Sequence, residues 1–140
     1  MKSSLQLFNR QRKKRVDLER LRAFAEAALV KVSERQRPLD LPEEIEVVLV
    51  SDARIADIHR EFLSVDGPTD VITFRHGEIV ISVETAERQA ERFSTSFSRE
   101  LRLYIVHGLL HLAGLDDLTD RGFDEMAKIQ QQIVEEVVSC

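Results

Sequence analysis

The sequence predicts an α+β fold, a mixed, four-stranded sheet packed with about five helices. Three observations lead there. Short β-branched or alternating segments are interleaved with segments whose apolar residues recur every three or four positions. Two of the short segments, "TDVITF" and "EIVISV", are separated only by "RHG", the spacing of a hairpin. The last third of the chain keeps the helical period throughout. With 140 residues, 43% of them hydrophobic, the chain suits one domain, 1–140, around a single core.

The elements follow in order. "SLQLF" at 4–8 alternates and predicts the first strand, and Asp17 is placed to cap a helix with Leu18, Leu21, Ala25, Ala28, Leu29 and Val32 on its apolar face. "RQRPLDLP" ends that helix as a loop, and "EIEVVLV" at 44–50 is a second strand. From a cap at Ser51 or Asp52, Ile55, Ile58 and Phe62 space a short helix to about Leu63, which "SVDGP" breaks. The hairpin occupies 69–74 and 78–83. Ser82 then caps a helix burying Val83, Ala86, Ala90 and Phe93. "STSFS" interrupts, and from about Arg99 to Ala113 the chain is apolar on nearly every side, as a buried helix must be. A last helix, Thr119 to Val138, is expected to bury Phe123, Met126, Ile133, Val134 and Val137.

Composition excludes some classes. The longest apolar runs, "VVLV" and "LYIV", fall far short of the roughly 20 residues of a membrane span. The start has no hydrophobic segment of the secretory type. The single cysteine, Cys140, cannot form an intrachain disulfide, so the expected location is the reducing cytoplasm. Net charge is −5, yet "RQRKKR" at 10–15 holds five of the twenty basic residues; the other fifteen face twenty-five acidic ones. Arg12, Lys13, Lys14 and Arg15 are thus candidates for phosphate contact, although such a run also fits a solvated turn.

The chemistry concentrates in "HGLLHLAGLDD" at 107–117. Four residues apart on a helix, His107 and His111 lie about 40° apart on one face, so both rings reach one point. Gly114 permits the positive φ that ends the helix and turns Asp117 towards the same point. Two imidazoles and a carboxylate leave a position open on a bound zinc, as in catalytic sites. The pair alone also fits pocket histidines bonded to backbone carbonyls; the glycine and the acid at these offsets favour the ion. His59 and His76 lack such context. The zinc peptidase pattern H-E-x-x-H has its proton acceptor beside the first histidine, where this chain has Gly108, so peptidase chemistry lacks its base. The missing side chain is also expected to open space beside the ion.

These residues resemble a known family. "HGLLHLAGLDD" is similar to the H-G-x-L-H-L-x-G-Y-D-H motif of the bacterial YbeY family of rRNA maturation endoribonucleases, "GPTDVITF" to its P-T-D-V-L-S-F segment, and "GEIVIS" to its G-D-I-x-I-S strand. The order of elements matches over nearly the whole chain. The resemblance implies a zincin-like metal helix in the core, one zinc per chain, hydrolysis of single-stranded RNA, and a role in 16S rRNA 3′-end maturation and ribosome quality control. It implies as partners rRNA, the small ribosomal subunit, ribosomal proteins or a ribosome-associated GTPase, and no membrane. By position His107 and His111 are the metal ligands, and the third falls on Asp117, where the family has histidine. The carboxylate lowers the site's positive charge and leaves the metal's identity open. The family's phosphate-handling arginine, five residues before the proline, is Leu63 here. Arg60, almost one turn earlier, and Arg75, directly after the strand, are candidate replacements as phosphate contacts, with a structural role open for each. Asp116 fits a loop cap as well as a catalytic part. Two other classes stay open: a metal-dependent hydrolase of another kind, and a non-catalytic ribosome assembly factor with a structural metal.

Overall fold

The computed structural model of this protein describes residues 3–35, 41–115 and 118–139. Asp116, Asp117 and Cys140 lie outside them. Among the described residues nine elements follow one another: β1 (Ser4–Asn9), α1 (Leu18–Arg35), β2 (Glu44–Val50), α2 (Asp52–Leu63), β3 (Val71–Phe74), β4 (Glu78–Ser82), α3 (Val83–Arg92), α4 (Phe97–Leu112) and α5 (Asp120–Ser139). The four strands form one mixed sheet in the order β1-β2-β4-β3. β1, β2 and β4 run parallel, and β3 pairs antiparallel at the edge. The expected α+β class, sheet size and helix number are those observed.

Period-two alternation assigns the buried apolar strand residues to one of two cores. Leu7, Ile45, Val47, Leu49, Ile79 and Ile81 point to the larger core, with buried residues of α1, α3, α4 and α5. Val48, Val50, Ile72 and Val80 point the other way, onto Ile55 and Ile58 of α2. Sheet residues buried on both sides explain why "EIEVVLV" reads as an almost continuous apolar run.

The caps set the boundaries. Ser51 and Ser82 accept hydrogen bonds from the backbone N–H of Arg54 and Thr85, both at 3.2 Å, opening α2 and α3. Asp17 does the same for Arg20 at the head of α1. Ser96 accepts from Arg99 N–H at 3.0 Å, so α4 begins at Phe97, two residues before the expected start, because "STSFS" supplies the cap as well as the break. The hairpin strands are shorter than expected. Asp70 uses its carboxylate to receive Val71 N–H at 2.7 Å, and β4 ends at Ser82, whose hydroxyl caps α3 so that Val83 is already helical.

Two aromatic residues expected inside are outside. Phe93 is 61% exposed because α3 stops at Arg92, leaving Phe93 past the last turn with the Arg92 guanidinium over its ring. Phe123 is 58% exposed because it lies in the first turn of α5, before Met126 makes that helix's first fully buried contact. Met126, Ile133 and Val134 are buried, and Val137 packs half-buried against them. Among the described residues no helix is long and apolar enough to cross a membrane.

Candidate metal and phosphate site

The buried helix α4 carries His107 and His111 in its C-terminal half, against the larger core. Leu109, Leu110, Ile105 and Val106 around the histidines are fully buried, whereas His107 and His111 are half-exposed. The two rings stand edge to face, centroids 4.6 Å apart, and their Nε2 atoms are 3.1 Å apart. Two nitrogens at that separation subtend roughly 100° at an ion about 2.05 Å from each, close to the tetrahedral angle. The pair therefore fits two ligands of one zinc-like ion. Among the described residues no third His, Cys, Asp or Glu joins them. The expected third ligand, Asp117, lies outside the described residues.

The chain leaves α4 by a tight turn at Ala113–Leu115. Gly114 has φ +100, its N–H donates to His111 O at 3.0 Å, and Leu115 N–H donates to Leu110 O at 3.0 Å. That bond pair is the Schellman stop, which places a left-handed residue right after the cap.

Gly108 does something other than open space beside an ion. It faces β4, where an added Cβ would lie 2.7 to 2.9 Å from three side-chain atoms of Ile79. The absent side chain is what lets α4 settle onto the sheet, and Ile79 fills the volume. The expectation of extra room at that point is corrected.

A cavity of about 620 Å³ opens over the pair, lined by Val71, Thr73, Arg75, His107, His111, Leu112, Gly114 and Leu115. Its second wall is the edge strand β3, whose alternate residues Val71 and Thr73, continued by Arg75, face the histidines. Arg75 thus stands at the mouth of the cavity. Arg60 does not line it: the side chain lies exposed on α2, paired with Asp57 at 3.0 Å. Leu63 is half-exposed at the end of α2 and does not line it either.

The basic run is elsewhere. It follows β1, the edge strand farthest from β3, three strand spacings or roughly 14 Å away. Since β3 runs antiparallel, Arg75 also lies at the opposite end of the sheet. Gln11 folds the run into a tight loop: its Oε1 accepts from Lys13 and Lys14 N–H, and its Nε2 donates to Asn9 Oδ1 and Lys14 O. Lys14 reaches Glu87 at 3.8 Å, while Arg12, Lys13 and Arg15 project into water.

Behind the histidines stands a partner that the sequence motifs did not single out. His107 Nδ1 lies 2.9 Å from Oε1 of Gln130 on α5. Its signal was present: Gln130 is four after Met126 and three and four before Ile133 and Val134, a polar residue within an apolar stripe. Tyr104, one turn before His107, is no base. Burial, with the charges of Asp70 and Glu100 adding to it, pushes its hydroxyl far above the ordinary range. His59 bonds Gly67 O at 3.0 Å and His76 stacks on Phe74, both away from the cavity.

Comparison with known proteins identifies the family. The family described as endoribonuclease YbeY matches residues 6–138. An endoribonuclease YbeY from Thermotoga petrophila is 41% identical over 100 residues, which cover 66% of this chain and 67% of that protein. One from Bacillus mycoides is 32% identical over 126 residues, 76% of this chain and 81% of that one. The solution structure of TM1509 from Thermotoga maritima superposes with a TM-score of 0.67 at 28% identity, covering 96% of this chain and 89% of that one. With the matched region spanning most of β1, the other three strands, the paired histidines and the turn that follows them, this chain belongs to the endoribonuclease YbeY family.

Proposed function

We propose that the cavity between α4 and β3 cuts phosphodiester bonds in single-stranded RNA with the help of one divalent ion, and that the cellular substrate is the 3′ end of 16S rRNA. The observation that supports this most directly is the convergence of His107 and His111 Nε2 at 3.1 Å beneath a cavity whose mouth carries Arg75. His107, His111 and Asp117 would hold the ion, with zinc the best match to a nitrogen-rich donor set. Bound there, the ion supplies positive charge to the phosphodiester and acidity to water.

The rest of the work falls to the chain's own groups. Arg75 presents a planar guanidinium that grips two phosphate oxygens and offsets the charge that grows on them as the bond breaks. Val71, Leu112 and Leu115 give the cavity apolar patches that strengthen those charge interactions by limiting water. The exposed Arg12, Lys13 and Arg15, too distant to touch the cut phosphate, would hold the RNA backbone further along the strand. Rare aromatic residues, 6% of the chain, fit weak sequence preference. The cytoplasm, with the small ribosomal subunit as the place of action, suits a protein with this substrate.

Metal content of the purified protein, measured beside cleavage of a single-stranded oligoribonucleotide, tests the proposal. About one ion per chain is expected, lost together with cleavage in His107→Ala, His111→Ala and Asp117→Ala. A folded His111→Ala protein that cuts RNA as well as the wild type overturns it.

A further inference from the structure

We propose that Gln130 is a positioning residue of the metal site, which sets its affinity by holding His107 in the tautomer protonated on Nδ1. The inference rests on the reading of His107 and His111 as ligands and concerns what prepares them. A neutral imidazole carries one proton on its two nitrogens, and only the other nitrogen has a lone pair to offer an ion. His107 Nε2 faces His111 Nε2 over the cavity, so the proton belongs on Nδ1 if the ring is to be a ligand. Gln130 Oε1, 2.9 Å from Nδ1, is an acceptor and demands that proton there.

The placement of Gln130 makes this more than a surface contact. It lies half-buried on the stripe by which α5 packs on the core, between Met126 one turn before and Ile133 and Val134 one turn after, all at most 2% exposed. A polar side chain in that stripe costs free energy unless it is hydrogen-bonded, and Nδ1 is the partner it has. Packing of α5 thereby fixes the amide, the amide fixes the ring, and the ring aims its lone pair. An amide does this without adding charge, whereas a carboxylate in its place would raise the basicity of the ring as well.

The test uses zinc alone as probe and the full chain. Gln130→Met keeps the size and apolar packing but removes the acceptor; Gln130→Glu restores an acceptor. Zinc affinity is read by competition with a chromophoric chelator, and the His107 tautomer by ring nitrogen NMR of the metal-free proteins. Urea midpoints establish that each variant is folded. Gln130→Met is expected to bind zinc about 10 to 100 times more weakly and to move His107 towards the Nε2–H tautomer, while Gln130→Glu binds at least as tightly as the wild type. Wild-type affinity and tautomer in Gln130→Met overturn the inference, and so does equal weakening in both variants, which would mark a packing role. A wild-type protein that takes up no zinc refutes the ligand reading itself, and the inference with it.

Discussion

Gly108→Ala tests how closely α4 is seated on the sheet. Its new Cβ would lie 2.7, 2.8 and 2.9 Å from Cγ2, Cδ1 and Cγ1 of Ile79, all closer than carbon atoms approach in packed interiors. Ile79 is fully buried in a strand flanked by β2 and β3, so it has nowhere to turn. Overpacking of this kind costs about 1 to 3 kcal/mol, against a gain of about 1 kcal/mol for alanine over glycine in a helix. The net change alone is small, and the informative quantity is coupling. Ile79→Ala removes all three opposing atoms and by itself costs about 2 to 5 kcal/mol. In the double variant the clash is gone, so Gly108→Ala is expected to stabilise the Ile79→Ala background by its full helix gain. Urea unfolding of the four proteins measures a coupling of about 1 to 3 kcal/mol. Additive effects, with Gly108→Ala stabilising in both backgrounds, would refute the close seating of α4 on β4. Gly108→Glu, which would complete the peptidase pattern, is expected not to fold, since it buries a carboxylate against the same side chain.

Other predictions concern charge. Asp52 accepts from Ser82 Oγ at 2.6 Å, Thr85 Oγ1 at 2.7 Å and Arg88 Nη1 at 2.6 Å, joining α2 to α3. Burial raises the Asp52 carboxyl, but bonds from Arg88, Ser82 and Thr85 and the Arg88 charge outweigh it and hold it below its ordinary value of 3.8. The resulting stability is fully present above that value and is lost as pH falls through the lowered one. Asp52→Asn is therefore expected to cost about 1 to 3 kcal/mol at neutral pH, a gap in urea midpoint that should narrow below about pH 4; a gap independent of pH contradicts this. Arg75→Ala is expected to slow RNA cleavage about 10- to 100-fold, as removal of a charged hydrogen bond implies, with Arg60→Ala within about twofold of wild type; equal effects would move the phosphate contact to α2. Replacing Arg12, Lys13 and Arg15 by alanine should leave the cleavage rate of bound RNA unchanged. It should also flatten the slope of log affinity against log salt by about 0.7 for each phosphate that the loop no longer neutralises; an unchanged slope removes the loop from the RNA path.

The sequence reveals most where a pattern is local. Leu21, Ala25, Ala28, Leu29 and Val32 are all buried because their spacing follows the geometry of α1 alone. His107 and His111 converge because four residues make one turn, whatever surrounds the helix. Features that depend on a distant partner were hidden. Nothing within α4 says that Gly108 meets Ile79, 29 positions earlier, so the missing side chain could be read as empty space when it is close packing. Arg60 and Arg75 looked equivalent as cations beside the same motif. They separate only because β3 forms one wall of the cavity, while α2 packs on the opposite face of the sheet.

The same distinction explains the construction of the proposed metal site. An α-helix can offer two ligands a turn apart, but its next residue on that face is again a turn away, and here α4 stops at the Schellman turn. Further control over the histidines must come from chain that has left the helix. After Gly114 the chain reverses and re-enters as α5, whose buried stripe returns Gln130 to His107 within 2.9 Å. A shorter or longer connection would shift that stripe relative to α4 and break either the packing of Met126 and Ile133 or the amide contact. If Gln130 fixes the His107 tautomer as proposed, one turn and one helix register set both the C-terminal packing and the direction of the His107 lone pair. A variant that loosens α5, such as Ile133→Ala, should therefore weaken zinc binding as well as lower stability by about 2 to 5 kcal/mol, though Ile133 itself touches no ion. Unchanged zinc affinity in a destabilised Ile133→Ala protein would show that the histidines are held by α4 alone.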